Sequence, residues 1–489
     1  MRSIWKAAAQ CNPRAPLTRD LTVDVAIVGG GITGLMCAHA LAYDGLKVAV
    51  LEARRIGEGS TGNSTGNLYA LVGERPRRIE RSHAETVLNA RAEAVDRIEA
   101  LVRALDIDCG WVRCPWVVYT HSTQPTKALL QAEDLARAGR LHARPTSVPL
   151  PVSAGLAFAV ENQAQFNPLR FVHGLAASLP CEIYEGTPVT ALDDERCRVH
   201  TPAGIVDAKY VVLASHTPKG TLALHGEMEP YREYGVAARL AREALPPGIF
   251  WSLDEPYRSI RGYSYDNANH VVVVGESHWV GRIDDTRVCY AELEAFVRNH
   301  FGTDAIAYRW SAQNYRAADG LPYVGRLHPD SRVLVATGFG ADGLTYGAVS
   351  AHMLSDVIAE RPNPMLRLLD PSRLPHARAL PGIMAEGVAV LKQFARDIPW
   401  IDRGDPTSLA PGEAKVFDRS GEKIAAFRND RGELEMVSAV CTHMQCIVRW
   451  NTAERTWDCP CHGSRFEPGG RVIEGPAWHD LPARPATPE

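Results

Sequence analysis

Residues 21–52 read LTVDVAIVGGGITGLMCAHALAYDGLKVAVLE, and the fold of the first part of the chain follows from them. The run 21–28 (LTVDVAIV) is short, apolar and rich in β-branched residues, the pattern of a buried strand. A glycine turn from Gly29 to Gly34 follows it. Residues 32–43 (ITGLMCAHALAY) continue as a helix that Asp44-Gly45 stops, and 47–52 (KVAVLE) return as a second strand. Within this βαβ unit Gly29, Gly31 and Gly34 spell G-x-G-x-x-G, and Glu52 closes the second strand 18 residues after Gly34. The string alone also occurs in plain glycine turns. With a strand before it, a helix behind it and an acid ending the next strand, it has the context of a dinucleotide-binding fingerprint. Gly29 permits the tight turn, Gly31 lets backbone approach a diphosphate, and Gly34 lets helix pack closely on strand. The helix N-terminus offers unpaired N–H groups to the diphosphate, and Glu52 can accept hydrogen bonds from ribose hydroxyls. These residues do not separate NAD from FAD.

Further along, 83–106 reads as a helix, 205–213, 270–275 and 332–336 as strands, and 343–359 as a last helix. The stretch 336–354 (ATGFGADGLTYGAVSAHML) repeats the order strand, glycine turn, helix. It would bring a second helix N-terminus to the cofactor. A flavin gains more from that than a nicotinamide does, because its reduced ring carries negative charge. Five prolines between 361 and 382 mark a boundary, and 383–396 (IMAEGVAVLKQFAR) could bridge it as one helix. From about 401 the texture changes to short β-like runs broken by Gly, Asp and Asn, as in a small all-β module. The expected organisation is therefore 1–382, a linker helix 383–400, and 401–489.

Composition narrows the function class. The 489 residues are 45% hydrophobic and 22% charged, with a formal net charge of -4, which gives no basic footprint for nucleic acid. No stretch approaches the roughly 20 apolar residues of a membrane span. The N-terminus has neither an apolar signal core nor a twin-arginine pair, so a cytoplasmic location is expected. Of 11 cysteines, seven are scattered and read as reduced thiols; Cys441, Cys446, Cys459 and Cys461 fall within 21 residues. Residues 441–446 read CTHMQC and 459–464 read CPCHGS. Cys441-x-His443, 15 residues, then Cys459-x-x-His462 is the ligand spacing of a Rieske [2Fe–2S] centre, with two thiolates on one iron and two imidazoles on the other. A structural zinc site of Cys2His2 type is the rival reading. Zinc fingers place both cysteines first, however, whereas here cysteine and histidine alternate.

At this point two resemblances become visible. DVAIVGGGITGLMCAHALA, LEARRIGEGSTGNSTGN, ADGLPYVGR (318–326) and ATGFGADGLTYG together resemble the D-amino-acid oxidase/glycine oxidase family of FAD-dependent oxidoreductases, over roughly residues 20–360. The resemblance implies an α/β Rossmann-like FAD-binding domain with an interleaved α+β substrate domain. It implies Ser60, Thr61, Gly62 and Asn63 near the diphosphate and flavin, Val189 near the adenine, and Ala214 beside the cofactor. Gly338, Gly340, Gly343, Leu344 and Thr345 would cap the flavin ring. Some relatives bind FAD covalently through Cys or His. Neither GEGSTGNSTGN nor WSAQNYRAADG contains one, so dissociable FAD is expected. Residues 401–485 resemble Rieske domains of the cytochrome bc type. That likeness implies a disulfide between Cys446 and Cys461, a cover loop at Gly475-Pro476-Ala477, and Ser464 as a donor to a cluster sulfur. High-potential relatives carry a Tyr where this chain has Phe466, which implies a lower potential here.

The pairing of a two-electron cofactor with a one-electron carrier reads as a converter from organic oxidation to single-electron transport. The family likeness implies an amine or amino-acid donor and, at the other end, a one-electron acceptor or donor protein. Arg261, Tyr257 and Tyr346 are the candidate substrate-contacting residues. Arg258 is the second candidate arginine, and for both the competing reading is an exposed or structural side chain. Tyr231, Tyr234, Tyr263, Trp310 and His216 could wall the pocket or simply pack. Cys109 and Cys114 could form a redox pair, against buried thiols as the simpler reading. Two other functions stay open: a 2-hydroxy-acid oxidoreductase on the same scaffold, and an electron-transfer or redox-sensing protein without a small organic substrate.

Overall fold

The computed structural model describes residues 1–71, 81–146, 149–217, 222–241, 243–317, 319–373 and 401–485. The expected linker helix at 383–400 lies outside the described residues. The chain divides into two compact units. One comprises Met1–His216, Glu233–Ser277 and Cys289–Arg373; the other comprises Thr217–Arg232, His278–Val288 and Leu374–Glu489.

The first unit is built on two sheets. The strand Leu21–Val28 lies at the middle of the first, between Gly204–Leu213 and Val48–Leu51, parallel to both. Val333–Thr337 and Glu182–Tyr184 extend the parallel array on either side, and Tyr323–Arg326 adds an antiparallel edge. Leu21–Val28 has neighbours on both edges and its central residues Val25, Ala26 and Ile27 are fully buried, which is why it reads as a near-continuous apolar run. The helix Ile32–Tyr43 is buried over most of its circumference, as is Gly343–Ile358, so neither shows a one-sided apolar stripe. The strand order turns back at Leu21–Val28, and in such sheets the crevice beyond the strand C-termini at that point is where a ligand binds.

The second sheet has nine strands, mostly antiparallel. Its main path runs Ile306–Ala317, Met228–Arg239, Ala268–Trp279, Arg258–Tyr265, Ile249–Ser252, Val112–Thr120, Leu156–Gln165, Asn67–Leu68. Arg81–Ala104 presents Ala84, Val87, Leu88, Ala94, Val95 and Ile98 to the core at helical spacing.

The second unit contains two four-stranded sheets. Ile401–Asp402, Ala414–Arg419, Glu422–Arg428 and Leu434–Ser438 form one; Arg449–Asn451, Thr456–Asp458, Arg465–Phe466 and Val472–Glu474 form the other. Trp457, fully buried, packs on Trp450 with ring centroids 4.8 Å apart, and Trp450 stacks on Phe427 at 4.8 Å. This small core anchors the two loops, 439–448 and 459–464, that carry the late cysteines and histidines. Among the described residues no helix is long and apolar enough to cross a membrane.

Candidate functional site

At the end of Leu21–Val28 the glycine turn does what its residues allow. Gly29 adopts φ +112°, and a Cβ there would lie 2.5 Å from the Ala214 carbonyl oxygen; a Cβ on Gly34 would lie 2.0 Å from the Gly29 oxygen. Only glycine fits either place. Gly31 caps the helix Ile32–Tyr43, and Thr61 Oγ1 comes over it to accept from the Ile32 N–H at 3.1 Å. The Glu52 carboxylate accepts from the N–H of Gly30 (2.7 Å) and of Arg54 (2.8 Å). Burial pushes this carboxyl up, opposed by those two N–H bonds. Each oxygen keeps a second lone pair for a ribose hydroxyl. The Glu52 backbone carbonyl accepts from the Thr187 N–H at 2.8 Å, which brings the stretch before buried Val189 to the end of the second strand. Gly62 and Asn63 lie in a short 3-10 turn, where Asn63 accepts from the Trp310 indole at 3.0 Å, while Ser60 donates to the Gln313 carbonyl at 3.5 Å. Strand ends, glycine turn and Ser60–Asn63 thus enclose a cradle that a single added Cβ would obstruct, and a dinucleotide diphosphate fits it.

The second glycine turn faces a network that the sequence did not disclose. Gly338 and Gly340 take positive φ (77° and 57°), Gly343 begins the long helix, and Leu344 and Thr345 are buried in its first turn. Asp342, in the same turn, accepts from the Tyr69 hydroxyl at 2.8 Å and pairs with fully buried Arg91 at 3.0 Å. Arg91 also donates to the carbonyls of Ala70, Tyr69 and Leu71, and its guanidinium lies 4.3 Å from the Tyr346 ring centroid. Burial, the largest influence, would lower the Arg91 pKa; Asp342, Tyr346 and Tyr69 together outweigh it and keep the guanidinium charged. Arg91 stands three residues after Leu88 and four after Val87, inside the apolar stripe of its helix. A charge in that register was the available signal that it serves a buried partner.

The substrate-side candidates are dispersed. Arg261 is 3% exposed, and its Nη1 donates to the Gly66 carbonyl at 2.6 Å and more weakly to Thr65, Phe166 and Asn67. Burial lowers its pKa to about 10. Arg258 pairs with Glu276 at 2.7 Å. Tyr257 is exposed on the surface (45%), whereas Tyr346 is buried beside Arg91. Tyr234 packs on Tyr290, Tyr263 on Trp5, Tyr231 on Trp279 and His216 on Tyr315. Cys109 and Cys114 are free, buried thiols that burial pushes up to about 12. Residues not singled out from the sequence form the densest aromatic group here: Tyr69 stacks on Trp116 at 4.7 Å, with Trp251 6.2 Å from each.

In the second unit the two late loops converge. Cys446 and Cys461 are joined in a disulfide. The Cys441 N–H donates to the Cys446 oxygen, and the Cys459 N–H to the Ser464 oxygen. The Cys441 and Cys459 sulfurs share a hydrogen bond, which with nearby N–H groups pulls Cys441 down to about 7; the same bond and burial push Cys459 up. The His443 and His462 rings lie 5.0 Å apart, and each leaves its Nδ1 buried without a hydrogen-bond partner. Burial lowers both imidazoles to about 4, so they are neutral at pH 7. Buried polar atoms are almost always satisfied. Two neutral imidazole nitrogens left open beside two thiols fit a metal cluster. Cys459 also lies close to Cys446 and Cys461, but those two sulfurs are spent on the disulfide. Ser464 is fully buried; its Oγ accepts from Ala477 N–H at 3.1 Å and also serves the Cys441 sulfur.

Residues 24–357 match the family described as FAD dependent oxidoreductase. The chain belongs to this FAD-dependent oxidoreductase family. Residues 399–485 match the Rieske [2Fe–2S] domain, so the enzyme carries FAD and a [2Fe–2S] cluster, and the zinc reading falls. Similarity extends end to end to one Bacillus subtilis (strain 168) relative, YhfW, described as a Rieske 2Fe–2S iron–sulfur protein: 31% identity over 98% of this chain and 96% of that one. Gamma-glutamylputrescine oxidoreductase of Escherichia coli (strain K12) is 24% identical over 72% of this chain and 88% of its own. Glycine oxidase from Geobacillus kaustophilus superposes with a TM-score of 0.61 at 21% identity, covering 73% of this chain and all of that one, which establishes the shared fold. The oxidoreductase fold is thus an α/β domain with a mixed sheet, followed by a small all-β domain.

Proposed function

We propose that this enzyme oxidises an amine or amino acid and passes the two electrons on singly through its iron–sulfur centre. One observation carries the reading: a flavin-oxidoreductase fold and a complete set of two thiols and two open imidazole nitrogens occur in one chain. The names of its relatives, glycine oxidase and gamma-glutamylputrescine oxidoreductase, support the substrate class.

When bound, FAD supplies a two-electron hydride acceptor and the [2Fe–2S] cluster a one-electron carrier. The chain's own residues do the rest. Gly29, Gly31 and Gly34 admit the diphosphate to the N-terminus of Ile32–Tyr43, with Glu52 for the ribose and Ser60–Asn63 closing the cradle. The turn Gly338–Thr345 directs a second helix N-terminus at the flavin, and the Arg91–Asp342–Tyr69 network holds it in place. The Tyr69, Trp116 and Trp251 rings would face the substrate, and burial against them beside the Arg91 guanidinium would favour the neutral amine over the ammonium, as hydride loss requires. The substrate C–H bond breaks as the nitrogen lone pair forms C=N, and water then hydrolyses the imine. Arg261, with Nη1 given to backbone carbonyls, orders the 65–67 segment. Cys441, His443, Cys459 and His462 hold the cluster, and a one-electron acceptor protein takes its electrons.

Anaerobic mixing with a panel of primary and secondary amines, amino acids and 2-hydroxy acids tests this. Bleaching of the flavin band by amines supports the reading. Bleaching by hydroxy acids alone, or by no small molecule but only by a reducing protein, overturns it.

A further inference from the structure

The iron–sulfur centre has a third histidine. His225 is 2% exposed, and its ring centroid lies 5.1 Å from that of His443 and 6.4 Å from that of His462. It packs against both imidazoles proposed as ligands. His225 lies far from the Rieske strands in sequence, within the stretch 24–357 that matches the oxidoreductase family. Yet Thr217–Arg232 and His278–Val288 form one compact unit with 374–489.

The segments around His225 are tied down independently of it. Arg232, 1% exposed, pairs with Glu454 at 3.1 Å and approaches Asp458 (3.7 Å) and Glu474 (3.9 Å), the same three acids that Arg465 meets. The Trp279 indole donates to the Pro460 carbonyl at 2.9 Å, within the ligand loop itself. Arg449 donates to the Gly281 carbonyl at 2.8 Å, and the Thr286 hydroxyl to Asn451 Oδ1 at 2.7 Å. A five-charge network, one hydrogen bond from the Arg449 guanidinium and two neutral ones from Trp279 and Thr286 describe a built contact. Breaking a buried ion pair is costly, so the contact is not one that opens casually.

We propose that His225 is the built-in cover of the iron–sulfur centre: it fills the imidazole edge, fixes the orientation of both ligand rings, and keeps water and outside electron carriers from that edge. It is a positioning residue, acting through His443 and His462, and the inference rests on the ligand set proposed above. The shell around a metal site sets solvent access and potential, so a missing cover has a measurable signature. It also implies that electrons enter and leave by another edge of the cluster.

The test uses the full-length holoprotein as wild type, His225→Ala and His225→Phe. A Rieske EPR signal in reduced wild type establishes the ligand set; its absence defeats that reading before the cover is at issue. Deuterium modulation of that signal in D2O then reports water at the imidazoles. Stopped-flow oxidation of the reduced cluster by ferricyanide reports access. Wild type and H225F should show weak deuterium modulation and equal rates. H225A should show strong modulation, a shifted midpoint potential and oxidation about tenfold faster. Strong modulation in wild type, H225A behaving as wild type, or H225F behaving as H225A overturns the proposal. Should H225A fail to retain its cluster, the wild-type and H225F measurements still decide.

Discussion

The nucleotide cradle is built almost wholly from backbone, whereas the iron–sulfur loops are built from four side chains. At the cradle the decisive chemistry is the absence of side chains at Gly29 and Gly34 and the direction of N–H groups at a helix start. At the loops it is the identity of the proposed ligands Cys441, His443, Cys459 and His462, with a disulfide and a small aromatic core fixing the loop ends. Failure should therefore look different in the two places. A cradle fails by obstruction, through the smallest added group; a ligand set fails by substitution, through loss of one donor.

The largest effect should come from Gly34→Ala. Its methyl would sit 2.0 Å from the Gly29 carbonyl oxygen, backbone against backbone, with no flexible group to yield. FAD should be lost from the purified protein while the iron–sulfur EPR signal persists; retention of stoichiometric flavin absorbance would contradict the cradle. The mirror experiment is Cys459→Ser, which should abolish the Rieske signal and leave the flavin spectrum intact. A G34A protein without cluster, or a C459S protein without flavin, would mean that the two sites are not separable in this way.

Next comes Arg91→Ala. Removing one partner of a buried ion pair costs about 3–5 kcal/mol, because Asp342 stays buried and uncompensated. Denaturant unfolding should register that loss, and flavin affinity should fall with it, since Asp342 lies in the turn proposed to cap the ring. A variant as stable as wild type would remove the network from the account.

The most gradual effect is a pH dependence of cluster-free protein. Burial holds His443 and His462 near 4, below the ordinary value of 6.5. Between those values the unfolded chain takes up protons that the folded chain refuses. Stability should be level above about pH 6.5 and decline as pH falls towards 4, by at most about 3 kcal/mol per ring. Urea midpoints of the apo form across this range measure it, and replacing both histidines by asparagine should flatten the slope.

The same contrast explains what could be read from sequence. The first strand and the helix of the βαβ unit were legible to the residue, 21–28 and 32–43, and the second strand, expected at 47–52, spans Val48–Leu51; strand burial, glycine spacing and helix stop are local signals. The Rieske domain was legible from its late cysteines and histidines because metal chemistry tolerates few residue types. The nine-stranded sheet was read only in part, at 270–275, since its pairings join residues as distant as Trp116 and Ile249. The side chains proposed to face the substrate were the least legible. Tyr69, Trp116 and Trp251 come from three separate strands or strand ends and meet only in three dimensions. His225 was invisible for the same reason, whereas Arg91 was visible in principle as a charge within an apolar stripe.

The central claim is that one chain converts a two-electron oxidation into one-electron steps. Freeze-quench EPR after anaerobic mixing with an amine that bleaches the flavin tests it most directly. The account predicts a Rieske signal that rises after the flavin band falls. A fully bleached flavin beside a cluster that stays oxidised would contradict it.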